Sequence, residues 1–214
     1  MISVLLPSRG RPEALERSIA SLRDLAEDPS SLEFLAAIDP DQEGMYAGLD
    51  GIRLWTAPER YGYARLHEYM NALAPLASGE WLMTWNDDAL MRTRGWDAVV
   101  HAQEPGVLWP SVNHHPANNT FPVWPAAWTK LTGHVSLCFN FDSWIQETGE
   151  MAGRQWRIPV EIYHDRHNQT GSGNFDDLTA AEGTLLADSS CSVLRSPEMV
   201  AERQRDAALI RATL

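Results

Sequence analysis

Four short apolar runs punctuate the first half of the chain, and each stops against polar residues. Ile2 to Leu6 halts at Pro7, Phe34 to Ile38 runs into Asp39-Pro40-Asp41, and Ile52 to Trp55 is brief. Trp81 to Trp85 leads straight into Asn86-Asp87-Asp88. Such runs suit strands covered on both faces. Between them, Leu15, Ile19, Leu22 and Ala26 recur at helical spacing after Pro12, a residue tolerated in a first helical turn. Leu66, Met70 and Leu73 repeat that period within Tyr63 to Ala74, which Pro75 ends. Trp96, Val99 and Val100 mark a short helix, and Gly106 restarts the chain into a strand from Val107 to Val112. Strands alternating with helices imply crossover units, so the expected class is α/β: a mixed, mainly parallel sheet flanked by helices.

The second half reads differently. Prolines, asparagines and tryptophans from His114 to Trp128 show no period and predict a long structured loop. A helix from Phe141 to Met151 and a last strand from Trp156 to Tyr163 follow, and then a polar, Gly-rich loop over 164–177. Ser196-Pro197 opens a final helix, with serine as N-cap and proline at the first helical position. At 214 residues the chain suits one domain, read as two halves, 1–112 and 113–214.

The net charge of −12 argues against a broad nucleic-acid-binding face, which needs clustered Lys and Arg. Two cysteines, Cys138 and Cys191, are too few for a disulfide framework and have no metal-ligand spacing. No stretch approaches the roughly eighteen apolar residues of a membrane span, and no signal peptide is evident. The expectation is a soluble cytoplasmic protein.

In open α/β sheets, ligands bind beyond the carboxyl ends of the strands, so the residues just after each apolar run carry the candidate chemistry. These are Ser8, Arg9 and Arg11; Asp39 and Asp41; Asn86, Asp87 and Asp88; and, late in the chain, His164, Asp165 and His167. Guanidinium groups suit phosphates, while carboxylates and imidazole suit a divalent metal. Each has a duller reading: a surface arginine near a helix start, a turn aspartate before proline, a helix cap after a strand. Their shared placement at strand ends points to a metal-bound phosphorylated ligand. The chain has no G-x-G-x-x-G after the first strand, no G-x-x-x-x-G-K-[ST] and no G-x-S-x-G, so a glycine loop does not hold the phosphates.

The segments ISVLLPSRGRPE, AAIDPDQ, YGYARLHEYMNAL and GEWLMTWNDDALM, in that order, resemble the landmarks of GT-A glycosyltransferases of the family 2 type. The resemblance covers residues 1 to about 100 and, more loosely, the rest. It implies sugar transfer from a nucleoside diphosphate, UDP by family analogy, to an acceptor hydroxyl. It also implies a divalent metal, Mn²⁺ or Mg²⁺. The 1–112 half would then bind the nucleotide sugar, and the 113–214 half would bind the acceptor and close the site. Carried over by residue, Pro7, Ser8 and Arg9 would line the nucleotide pocket, Asp39 would contact the base and Arg65 would lie near the sugar diphosphate. Asn86, Asp87 and Asp88 stand at the D-x-D motif. Asp88 would ligate the metal and Asn86 would face the ribose or a metal-bound water. Asn86 departs from the motif by replacing one carboxylate with a carboxamide, whose oxygen still coordinates hard cations.

His164 stands where some metal-dependent members place a further ligand, and a surface histidine ending a strand is the competing reading. His167 would face substrate or solvent, and Gly171-Ser172-Gly173 would let this segment close as a lid. Asp142, in NFDSW, would be the base of an inverting enzyme, with Asp176 and Asp177 in reserve; an N-cap role for Asp142 stays open. Among nine tryptophans, Trp81, Trp85 and Trp96 are expected in the core. Trp109, Trp124, Trp128 and Trp144 flank the expected acceptor region, where His114 and His115 either touch the acceptor or pack. Without membrane helices or a Q-x-x-R-W motif, single-sugar transfer to a protein, a modified nucleobase or a small molecule fits better than processive synthesis. Two other readings use some of the same residues: a metal-dependent phosphoesterase or nuclease, and a non-catalytic carbohydrate-binding module.

Overall fold

The computed structural model describes residues 1–114, 116–166 and 192–213. In chain order the elements are β1 (Ile2–Pro7), α1 (Pro12–Leu25), β2 (Leu32–Ile38), α2 (Glu43–Tyr46), β3 (Arg53–Thr56), α3 (Leu66–Leu73), β4 (Trp81–Thr84) and β5 (Ala89–Met91). There follow α4 (Trp96–His101), β6 (Val107–Val112), β7 (Val123–Pro125), α5 (Ala126–Thr132), α6 (Phe141–Ala152), β8 (Gln155–His164) and α7 (Pro197–Arg211). The strands form one eight-stranded sheet in the order β3-β2-β1-β4-β7-β6-β8-β5. Strands β3, β2, β1 and β4 run parallel; β7 is antiparallel to both β4 and β6, and β6 and β8 run parallel to each other. The carboxyl ends of β1, β2, β4, β6 and β8 therefore share one edge. Among the described residues, no helix is long and apolar enough to cross a membrane.

Alternation along β1 builds the core on both faces of the sheet. Ile2, Val4 and Leu6 join α1 and Trp96 in one apolar cluster, while Leu5 joins α3, α6 and α7 in another. A strand packed on both sides admits a polar residue only with partners, as Ser3 has in Glu33 and the Gly79 N–H, and sustained polarity begins at Ser8 where the strand leaves the sheet. Trp81, Trp85 and Trp96 are buried in the first cluster, as expected. Trp124, Trp128 and Trp144 are buried too, at 3%, 6% and 2% exposure, so none presents a face for stacking a sugar.

The main departure from expectation lies in 114–128, which contains β7 and the first turn of α5. β7 is three residues long and ends in Pro125, too short for a period to register, and α5 starts immediately after it. Gly133, at φ +83°, caps α5 and was the available signal. The expected helix over 63–74 divides into a 3-10 turn (Tyr63–Arg65), α3 and a second 3-10 turn (Ala74–Leu76).

One brace fixes the reversal from β4 to β5. Ser18, buried on α1, places Oγ 2.9 Å and 2.6 Å from the carbonyl oxygens of Asn86 and Ala89, and accepts the Trp85 indole N–H at 2.6 Å. Ser18→Ala leaves that buried N–H without an acceptor, at a cost of about 1–3 kcal/mol. The melting midpoint should fall by about 2–4 °C per kcal/mol in a domain of this size. Adding Trp85→Phe should return part of the loss, because both partners are then apolar. An unchanged midpoint in Ser18→Ala would show that the brace carries no load.

Candidate active site

The shared strand edge opens into a cavity of about 160 Å³. Pro7, Ser8, Arg9 and Arg11 line it from the end of β1, Ala37 and Asp39 from β2, and Asn86, Asp87 and Asp88 from β4. Arg60, Gly62 and Tyr63, with Leu66 and Tyr69 of α3, complete the wall. The Tyr69 hydroxyl fixes that wall by accepting the backbone N–H groups of Tyr61 and Gly62 at 3.0 Å and 3.3 Å. Gly62 supplies the φ of +67° that the chain needs to turn into the 3-10 segment.

At one end of the cavity, Arg9 is held between two carboxylates. It donates to Asp39 at 2.7 Å and in bidentate fashion to Asp41 at 2.8 Å and 2.7 Å. These bonds, chiefly the pair to Asp41, raise the Arg9 guanidinium further above its usual range and hold Asp41 well below the ordinary carboxyl range. Asp39 is buried and accepts a second, short bond from the Tyr69 hydroxyl. Burial, reinforced by Asp39, pushes the Tyr69 phenol up to about 12, so it stays a donor.

In the middle, Asp87 turns to the protein. Its two oxygens meet Arg11 at 2.7 Å and the Ser8 hydroxyl at 2.7 Å, and Ser8 Oγ also lies 2.7 Å from the Tyr46 hydroxyl. Burial lifts the Asp87 carboxyl to about 6 against the pull of Arg11, with the Asp88 charge adding to the rise.

At the other end, His164 Nε2 lies 3.0 Å from Asp88 Oδ1 and 3.2 Å from the Asn86 carboxamide. Burial pushes the Asp88 carboxyl up, but the His164 hydrogen bond and the charges of His164 and Arg11 outweigh it and hold the group below its usual value. His164 Nδ1 is buried with no hydrogen-bond partner among the described residues, so the ring's polar contact is all at Nε2. A carboxylate, an imidazole nitrogen and a carboxamide thus converge, residue types that suit a divalent cation, with the Asn86 atom nearest His164 being Nδ2 and its Oδ1 the one able to coordinate. No group of three or more His, Cys, Asp or Glu that could hold a metal ion occurs among the described residues, so the third polar group beside Asp88 and His164 is the Asn86 carboxamide.

Arg65, expected beside a diphosphate, does not line the cavity. Glu59 at 2.8 Å and the bidentate Glu68 hold its guanidinium, which also lies 4.3 Å from the Tyr61 ring. Arg60 lines the cavity from the same segment. Asp142 lies in the first turn of α6, not at its N-cap, which is Asn140, and its carboxylate accepts the Ser143 N–H at 2.7 Å. It does not line the cavity, but Tyr63 does, and Tyr63 is within electrostatic reach of both Asp142 and Arg166. Burial raises the Asp142 carboxyl above its usual value, with the Ser143 bonds and Arg166 opposing. His115, His167, Gly171-Ser172-Gly173, Asp176, Asp177 and Cys191 lie outside the described residues. Tyr46, Arg60 and Tyr69 were not singled out in the sequence; Tyr69, one helical turn beyond Leu66, carried the only signal, a polar-tipped aromatic on the buried face of α3.

No protein-family model matches the sequence, and no curated protein sequence matches it. Solved structures do match. The mannosyltransferase PcManGT from Pyrobaculum calidifontis, in complex with GDP-Man and Mn²⁺, aligns with a TM-score of 0.62 and 14% identity over 99% of this chain and 85% of its own. S. aureus TarS 1-349 in complex with UDP-GlcNAc aligns with a TM-score of 0.60 and 12% identity over 94% of this chain and 69% of its own. The same TarS segment in complex with UDP gives a TM-score of 0.56 and 14% identity over 76% of this chain, which spans only 59% of that polypeptide. The sheet order, the strand-edge cavity and these alignments together establish that the chain has the GT-A-like fold of nucleotide-sugar glycosyltransferases.

Proposed function

We propose that the protein transfers a single sugar from a nucleoside diphosphate donor, in the first instance UDP, to an acceptor hydroxyl. The observation that carries this reading is that Asp39 and Asp88 line one strand-edge cavity, with the buried His164 bonded to Asp88 from outside its lining. Asp39 is a buried acceptor suited to the imide N–H of uracil, and a carboxylate keeps lone pairs for a base after its bonds from Arg9 and Tyr69. Pro7, Ser8 and Arg9 border the nucleoside, and Asp87 holds Ser8 and Arg11 in place. Arg11 and Arg60 face the phosphates with fixed positive charge.

Asp88, His164 and Asn86 would hold a divalent cation, Mn²⁺ or Mg²⁺, which when bound offsets negative charge on the departing diphosphate. The acceptor oxygen forms a bond to the anomeric carbon as the bond from that carbon to the diphosphate oxygen breaks. Asp142 takes the hydroxyl proton. Its raised affinity for protons brings it nearer the strength of an effective general base. Direct displacement of this kind inverts the anomeric centre. The fold of the PcManGT and TarS complexes with nucleotide sugars supports the donor class, and the Mn²⁺ in one of them supports the metal. The acceptor could be a protein, a modified nucleobase or a small molecule.

Thermal melting with UDP, GDP, TDP and ADP, each with and without Mn²⁺, tests the donor class. A ligand at a hundred times its dissociation constant stabilises the fold by about 2.7 kcal/mol. The expected result is a rise of several degrees for one nucleotide, greater with Mn²⁺, with the Mn²⁺-dependent part lost in Asp88→Ala and the nucleotide response itself lost in Asp39→Ala. No response to any nucleotide would sink the proposal. With donor and acceptor identified, Asp142→Asn should lower kcat by about 10²–10⁴-fold and leave nucleotide affinity unchanged. The acidic limb of the wild-type pH–rate profile should lie above the ordinary aspartate pKa, because the base must be ionised to act, and should vanish in that variant. A full-rate Asp142→Asn enzyme would remove the base from the scheme.

A further inference from the structure

The segment that follows β6, which the sequence assigns to the acceptor side, packs against His164, the residue bonded to Asp88 of the cavity wall. The parallel register between β6 and β8 runs out at Val112↔Ile162. His164 is paired with Ala89 of β5 on one side, and on the other the β6 ladder no longer reaches it. The Asn113 side chain takes the place of the missing strand. Its Oδ1 accepts the His164 N–H at 2.8 Å and its Nδ2 donates to the His164 carbonyl at 3.3 Å. β8 thus stays extended to its last residue, and His164 follows Val160 and Ile162 at period two onto the buried face, the three being 3%, 1% and 2% exposed respectively.

Two further contacts set the ring. It lies against His114 at 4.9 Å on one side and meets Phe121 edge-on at 5.1 Å on another, which leaves Nε2 facing Asp88 and Asn86. The next residue closes the unit, because the Asp165 N–H donates to the Asp88 carbonyl at 2.8 Å. We infer that Asn113 is a positioning residue for the Asp88–His164 couple, so that the start of the 113–122 segment serves the diphosphate end of the donor site. The inference rests on the proposed donor site. Outer-shell partners orient a metal-ligating imidazole, and losing one costs about 10–100-fold in metal affinity; Asn113 would act through the His164 backbone and not through Nδ1.

Calorimetric titration of the full chain with UDP, in the presence and absence of Mn²⁺, tests this. In the wild type, Mn²⁺ should tighten UDP binding. In Asn113→Ala the metal-free affinity for UDP should stay within about twofold while the tightening by Mn²⁺ falls by about tenfold. In a His164→Ala background the same substitution should change nothing further, because both act through one ring. Asn113→Asp, which keeps the oxygen that accepts the His164 N–H, should lose less and replaces Asn113→Ala if that variant does not fold. The inference is overturned if Asn113→Ala keeps the whole Mn²⁺ effect, weakens UDP equally with and without metal, or adds a loss on top of His164→Ala. Wild-type UDP binding that ignores Mn²⁺ would overturn it while leaving the nucleotide site standing; wild-type failure to bind any nucleotide would remove both.

Discussion

The turn from β4 into β5 is the constraint on which the rest of the site depends. Within four residues the chain must leave a fully buried strand, place three polar side chains and re-enter the sheet against β8. Trp85 anchors the turn in the core, Ser18 holds two of its carbonyls, and the Asp165 N–H holds a third. With the backbone fixed, Asn86 and Asp88 face His164 while Asp87 turns to Ser8 and Arg11. Three consecutive polar residues therefore serve two sides of the turn, the outer two at His164 and the middle one at Ser8 and Arg11.

The cavity manages charge by pairing. Arg9 stands against Asp39 and Asp41, Arg11 against Asp87, and His164 against Asp88, with Tyr69 donating to the buried Asp39. Burying so many carboxylates would be costly without these partners. Arg9, on an exposed rim between two acids, is held as a spacer, and its outer pair with Asp41 is screened by solvent. The guanidinium groups of Arg11 and Arg60 also line the cavity. The molecule's net charge of −12 is compatible with an anionic ligand, because three arginines, Arg9, Arg11 and Arg60, line this one cavity.

Much of this was legible from the chain alone because strand ends are legible. Asp39 and Asp88 follow apolar runs whose burial on both faces forces polarity to the end, and parallel strands bring those ends together. Which arginine of one segment lines the cavity was not legible in the same way: Arg60 and Arg65 share that segment, and the packing of Glu59, Glu68 and Tyr61 holds the Arg65 guanidinium. β5 and β7, at three residues each, carry no periodic signal; their pairing with β8 and β4 makes them strands. Asn113 carried no signal either, since its side chain acts as a piece of backbone for a strand fifty residues away. Asp142 was found as an acid near a helix start, but its link to the cavity through Tyr63 depends on how α6 docks against α3.

The central claim is that the strand edge binds a nucleoside diphosphate with its base at Asp39 and its phosphates toward Asp88 and His164. An experimental structure of the protein with UDP and Mn²⁺ tests it most directly. The account predicts uracil within hydrogen-bonding distance of Asp39 and the diphosphate at the Asn86–Asp88–His164 end of the cavity. UDP bound elsewhere on the molecule, or in this cavity with the base and phosphates exchanged, would contradict it.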